Sequence, residues 1–252
     1  MRVAVTGATG NVGTSLVQAL ARDETVDESW PTDGIESAYY SRQKAAVERL
    51  LDRFEREMPE TRVVRLRPAL IFKRDAAAEI RRYFAGPFLP NPLVRRPLIP
   101  VVPKAERLVF QAVHSLDVGE AYRLAVVGDA RGAFNVAADP VLDAEALGEA
   151  LAARPIPVHA GALRAAASLS WRLRLQPTEP SWLDMALGVP LMDTARARSE
   201  LGWRPRYRSD EALVDLLHGM RDGAAYDTPP LERRAGGPLR IKEILTGVGG
   251  RA

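Results

Sequence analysis

Three glycines, Gly7, Gly10 and Gly13, follow directly on the short β-branched run Val3-Ala4-Val5 and open onto Leu16, Val17 and Leu20, which are spaced as one face of a helix. No other stretch constrains the fold so closely. In a strand, glycine turn and helix of this kind the first glycine permits the tight turn, the second lets backbone approach a diphosphate, and the third lets helix pack on strand. Amides at the helix start then face the phosphates, assisted by the helix dipole. A chain with 19 glycines can produce the same spacing in any loop, so it is the flanking strand and helix that point to a nucleotide.

A second constellation, Tyr40-Ser41-Arg42-Gln43-Lys44, sets a tyrosine and a lysine four apart on a predicted helix, on one face and a turn from each other. Six tyrosines and four lysines in 252 residues make about 0.1 such pairs by chance. An ammonium nearby favours a phenolate, so this pair suits proton exchange with a hydroxyl or carbonyl oxygen. The competing reading is a half-buried helix tyrosine beside a solvated lysine.

Patterning predicts helices over 37–57, 75–84, 116–127, 143–153, 162–173, 194–201 and 210–221, and strands over 61–66, 108–113, 133–136 and 156–159. In the first helix Tyr40, Ala45, Val47, Leu50, Leu51 and Phe54 supply the apolar faces. Residues 86–103 are proline-rich and read as an irregular excursion, and the tail from Asp227 as loosely held. Alternating strands and helices predict an α/β fold: a Rossmann-like parallel sheet, reduced or incomplete, with a smaller, mostly helical C-terminal substrate part. The expected division is 1–140 for dinucleotide binding, interleaved with substrate-part segments near 73–106, then 141–226 for substrate, then the tail 227–252.

These residues resemble the extended short-chain dehydrogenase/reductase superfamily, in its NAD-dependent epimerase/dehydratase group. The resemblance rests on Thr6-Gly7-Ala8-Thr9-Gly10-Asn11-Val12-Gly13, the Tyr-x-x-x-Lys helix, and Asp27-Glu28-Ser29 before it. It continues through Arg65-Leu66-Arg67-Pro68, Val113-His114-Ser115-Leu116-Asp117-Val118, Gly132-Ala133-Phe134-Asn135-Val136 and Leu201-Gly202-Trp203-Arg204-Pro205, in the family's order. The resemblance implies an NAD(P)-dependent oxidoreductase or epimerase acting on a secondary alcohol or carbonyl, a nucleotide sugar among the candidates. Tyr40 would be the acid/base, with Lys44 tuning it and holding a ribose. Gly7, Thr9, Gly10, Asn11, Val12 and Gly13 would hold the diphosphate, and backbone beyond Pro68 would approach the nicotinamide. In that family about 100 further residues separate glycine loop from tyrosine helix, bearing four strands, a catalytic Ser or Thr and the acidic residue that reads the ribose. Here Gly13 and Tyr40 are 27 positions apart. Ser15 falls in the helix after the glycine loop and reads as a helix residue, so the Ser-Tyr-Lys trio is incomplete, and without the acidic ribose reader nothing chooses NAD over NADP. The missing strands keep a second reading open, a catalytically silent member acting as a binding or scaffold protein, and they are compatible with a homodimer that donates neighbours.

Smaller signals read blandly: His114 as a structural group, Asp117 as a helix N-terminal cap, and Trp171, Trp182 and Trp203 as core or interface anchors. Arg65, Arg67, Lys73, Arg74, Arg81, Arg82, Arg95 and Arg96 could contact an anionic substrate but read as a solvated surface. The chain has no cysteine and three scattered histidines, so no metal site is expected. A net charge of +3 is no nucleic-acid footprint, and with no secretory pattern or membrane-length apolar run the expected partner is a small-molecule substrate, neither nucleic acid nor membrane, in the cytoplasm.

Overall fold

The computed structural model describes residues 25–84, 99–173, 178–226 and 228. In chain order its elements are α1 (Tyr39–Glu57), β1 (Val64–Pro68), β2 (Leu70–Phe72), a 3-10 turn (Arg74–Ala76), α2 (Ala77–Phe84), β3 (Val101–Lys104), β4 (Phe110–His114) and α3 (Ser115–Val127). Then follow β5 (Gly132–Val136), β6 (Ala138–Leu142), α4 (Ala144–Leu151), β7 (Arg154–Pro157), α5 (Ala160–Arg172), α6 (Ser181–Gly188), α7 (Ala195–Ser199) and α8 (Ser209–Asp222). β1 pairs with β5 in parallel, from Val64 opposite Gly132 to Pro68 opposite Val136. β4 is the centre of a three-stranded sheet, parallel to β2 and antiparallel to β6, and β3 runs parallel to β7. The architecture is therefore α/β with parallel pairs linked by helices. No described helix is long and apolar enough to cross a membrane.

The sheet face decides where each side chain goes. Alternation along β1 sends Val64 and Leu66 to one side, where they pack on a core of Val113, Val118, Ala121, Ala125, Phe134, Val136, Ala197, Leu201 and Trp203. Trp203 is wholly buried and its indole N–H donates to the Asp117 carbonyl at 2.8 Å. A second core joins Phe72, Ala77, Ala112 and Leu142 to Ala212, Leu213 and Leu216 of α8. Arg65 and Arg67 point to the other side of β1, against α1. Arg65 bonds Glu48 at 2.9 Å, Asp52 at 2.6 Å and also Glu55, and Arg67 holds both oxygens of Glu48 at 2.9 Å. These two arginines are thus held in ion pairs and do not form a solvated surface, because a guanidinium taken from water needs carboxylate partners.

The same packing overturns the expected face of α1. Ala45 is its one buried residue, and Val47, Leu50 and Phe54 face outward. The proline-rich excursion is also corrected at its end, since Val101–Lys104 is a strand. Strand β6 and helix α6 lie outside the predicted elements.

Asp117 is not the cap of α3. That position belongs to His114, whose Nδ1 accepts the Leu116 N–H at 3.2 Å. The Asp117 carboxylate is 1% exposed and accepts the backbone N–H groups of Arg206 at 3.1 Å and Tyr207 at 3.0 Å. It fastens the Leu201-to-Tyr207 segment to α3.

Candidate functional site

Tyr40 and Lys44 stand in the first turns of α1, and a tight turn before the helix sets their position. Gly34 has φ +80°, and a Cβ there would lie 2.9 Å from the Ser41 carbonyl oxygen, so only glycine fits. The Ile35 N–H donates to Ser41 Oγ at 2.8 Å, closing the turn onto the helix. Lys44 Nζ lies 5.4 Å from the centroid of the Tyr40 ring, as the four-residue spacing requires. That ring also stacks on Trp182, with centroids 5.2 Å apart and planes at 28°. Trp182 begins α6, which is held in turn by Asp184. Both Asp184 oxygens accept from Arg164, at 2.6 and 3.0 Å, and this hydrogen bonding first, with a bond from Ser37 of the pre-helix turn, keeps the carboxyl below its ordinary range against the opposing effect of burial. Tyr40 is 46% exposed, and among the described residues neither its hydroxyl nor the Lys44 ammonium has a hydrogen-bond or ion-pair partner.

The parallel β1 and β5 end together, and ligands of open parallel sheets bind beyond the carboxyl ends of strands. Pro68 lies there opposite Val136, and the Ala69 N–H is taken by the Val136 carbonyl at 2.9 Å. Residues 25–31 cross this end. Glu28 accepts the Asn135 backbone N–H at 2.7 Å while its own carbonyl accepts from Arg67 at 3.0 Å. The Asn135 side-chain amide donates to the Val26 and Asp193 carbonyls at 3.2 and 3.1 Å. A cavity of about 370 Å3 opens there between Thr25, Val26, Asp27, Ser29, Trp30, Pro31 and Asp193. Sequence reasoning placed Asp27-Glu28-Ser29 before the tyrosine helix but missed Asn135 and Asp193 as their anchors; only the polar Asn135 inside an otherwise apolar strand signals it.

A second cleft, of about 600 Å3, lies at the carboxyl ends of β2 and β4 and is lined by His114, Arg206, Tyr207, Glu211 and Asp215. His114 Nε2 is 3.6 Å from Asp215, its ring lies 4.2 Å from that of Tyr207, and Asp215 accepts the Arg74 N–H at 2.7 Å. The structural role read for His114 agrees with its burial and its capping bond. Gly7, Thr9, Gly10, Asn11, Val12 and Gly13 lie outside the described residues, as do Arg95, Arg96 and most of the tail. No cluster of three or more metal-binding side chains occurs among the described residues.

No family model matches the chain. Uncharacterized proteins of Mycobacterium bovis and Mycobacterium tuberculosis are each 29% identical to it over 168 residues, 65% of this chain and 41% of theirs. The chain thus spans about two-fifths of the length of the curated relatives it matches. Among solved structures it is similar to gox2253 (TM-score 0.53, 19% identity, 79% of this chain and 61% of that one). It is also similar to a UDP-glucose-4-epimerase of Stenotrophomonas maltophila with bound NAD and formylated UDP-arabinopyranose (0.52, 19%, 79% and 58%). A dTDP-glucose 4,6-dehydratase of Bacillus anthracis in complex with NAD gives 0.50, 13%, 79% and 56%. This likeness is one of fold, and it matches the α/β, Rossmann-like architecture expected from the pattern of strands and helices.

Proposed function

We propose that the chain is an NAD(P)-dependent oxidoreductase or epimerase of the extended short-chain dehydrogenase type, acting on a secondary alcohol or carbonyl, with a nucleotide sugar the favoured class. The observation that carries this reading is the pairing of a Lys44 ammonium, 5.4 Å from the ring centroid, with an open Tyr40 at the start of α1. NAD in the similar epimerase and dehydratase, and the sugar nucleotides in their names, support cofactor and substrate class.

The residues present fit such a cofactor: an ammonium and, a turn away, a phenol hydroxyl, neither with a hydrogen-bond or ion-pair partner among the described residues, suit ribose hydroxyls and the reacting oxygen. When bound, the dinucleotide would supply the hydride acceptor. Tyr40 Oη accepts the proton of a substrate hydroxyl as the carbonyl forms and returns it in the reverse direction. Lys44 steadies the ribose and the charge on that oxygen. Trp182, stacked on the phenol, restrains its ring. Gly7, Gly10 and Gly13 would cradle the diphosphate.

The 27-position interval from Gly13 to Tyr40, which leaves out the strands and the catalytic Ser or Thr that the resemblance implies, favours one other reading, a binding protein without turnover. NADH and NADPH titrations followed by fluorescence and thermal unfolding test both. Ligand at about a hundredfold its Kd stabilises the fold by about 2.7 kcal/mol. Binding with turnover that Tyr40→Phe lowers by about 10²-fold or more supports the enzyme. Binding without turnover leaves the silent member, and no response to either dinucleotide refutes the proposal.

A further inference from the structure

Neither Tyr40 nor Lys44 lines the cleft of about 600 Å3 at the carboxyl ends of β2 and β4, whose volume falls within the about 300–1,000 Å3 of small-molecule sites. Opposite charges line it without neutralising one another. Glu211 and Asp215 stand one turn apart on α8, at i and i+4, a spacing at which like charges repel. Backbone amides hold one oxygen of each: Glu211 Oε2 accepts the Arg208 N–H at 2.8 Å, and Asp215 Oδ2 accepts the Arg74 N–H at 2.7 Å. Glu211 Oε1 and Asp215 Oδ1 make no hydrogen bond among the described residues. Arg206 lines the same cleft from the segment that Asp117 pins, and its guanidinium has neither a hydrogen bond nor an ion pair among the described residues. Glu120, another carboxylate near Arg206, is already taken by Arg123 at 2.7 and 2.8 Å. The remaining wall is His114, which is 7% exposed. Its Nδ1 accepts the Leu116 N–H, so the imidazole proton sits on Nε2, 3.6 Å from Asp215 and beyond hydrogen-bond reach of it. The Tyr207 ring, 4.2 Å away, steadies the imidazole. A donor so deeply buried, at a cleft with no acceptor in reach, calls for one on a ligand.

We propose that this cleft binds a small zwitterion, a free α-amino acid, held at both poles. The ammonium lies between Glu211 and Asp215, taking the oxygens that backbone leaves over and relieving the repulsion of the two carboxylates. The carboxylate takes the Arg206 guanidinium and the His114 Nε2–H, which are donors only. Inorganic phosphate fits less well, because Glu211 and Asp215 repel it. A diamine leaves Arg206 and His114 without an acceptor. A sugar hydroxyl array satisfies donors and acceptors alike but leaves all three charges unpaired. The site stands apart from Tyr40 and Lys44, and binding here does not depend on the redox reading.

The test uses the full chain and the free L-amino acids, each at about 10 mM, in thermal unfolding, with titration calorimetry on those that raise Tm. At least one should raise it and bind at one site per chain. The N-acetyl derivative of that amino acid lacks the ammonium and its amide lacks the carboxylate, so each should bind at least about tenfold more weakly. The same weakening is expected of the unmodified amino acid with Arg206→Ala and with Glu211→Gln. The Arg206 side chain holds no partner among the described residues, and glutamine keeps an oxygen for the Arg208 N–H, so without ligand both variants should unfold at the parent temperature. No shift with any amino acid, derivatives bound as tightly as their parent, or unchanged affinity in either variant would overturn the proposal. So would an equal shift from glucose or from inorganic phosphate.

Discussion

Replacing Asp117 by alanine separates a structural clasp from a first-turn dipole contact by magnitude alone. Were Asp117 an acidic residue favouring the α3 dipole, its loss would cost about 0.3–1 kcal/mol. The structure sets a larger figure. The carboxylate is buried and receives two backbone N–H groups from Arg206 and Tyr207, and hydrogen bonds to a charged acceptor contribute about 1.5–3 kcal/mol each. Water can reach Arg206 and Tyr207 in part, so about 3 kcal/mol is expected for Asp117→Ala. At about 2–4 °C per kcal/mol for a chain of this size, Tm falls by about 6–12 °C. Asp117→Asn keeps one acceptor oxygen but turns an amide N–H toward a second donor, and should recover about half the loss. Thermal and urea unfolding monitored by tryptophan fluorescence and circular dichroism measure both. A loss below about 1 kcal/mol for the alanine variant would refute the clasp.

Acid should find the α1 ion pairs. Hydrogen bonding from Arg67, foremost, and then Arg65 holds the Glu48 carboxyl below its ordinary 4.5 against the contrary pull of burial. Its folded value being depressed, the stability it contributes is complete above pH 4.5 and is lost as pH falls through the folded value. Arg67→Met should therefore flatten the fall in urea midpoint between about pH 6 and pH 3, and an unchanged slope would dismiss Glu48 as its source. Arg65→Ala leaves Asp52 and Glu55 without their cation, partly open to water, and Glu48 with Arg67 alone, and should cost about 1–3 kcal/mol by urea unfolding. At Gly219 an added Cβ would stand 2.2 Å from the Arg74 carbonyl oxygen, so Gly219→Ala should destabilise by about 1–3 kcal/mol, and a neutral result would place the Arg74 turn elsewhere.

What could be read ahead of the coordinates was what short-range pattern determines. The helices of 39–57 and 115–127 fall within two residues of their predicted limits, and the strand of β4 emerges from its β-branched run. Prolines concealed two further strands. Strands β3 and β6 contain Pro103 and Pro140, and each lies at a sheet edge, where a missing N–H costs no ladder bond. The Tyr40 and Lys44 neighbourhood was legible because a helix fixes it within four residues. Its Trp182 floor was not, since more than 140 positions intervene. Asp117 was misjudged for the same reason: next to a helix start a carboxylate reads as local, while its true donors lie about 90 residues on. The α1 stripe misled differently. Periodicity reports that a helix has two sides, and the buried one was decided by Arg65 and Arg67 on a strand the helix pattern does not contain.

Strand β5 offers its second backbone rim to side chains: Arg196 bonds the Ala133 carbonyl at 2.8 Å, and Glu28 takes the Asn135 amide. A guanidinium and a carboxylate there supply the complementary polarity that a paired strand would. Any foreign chain seeking to zip onto that border must first evict both ions, so the protein resists fibre growth from this quarter without needing another strand to shield it.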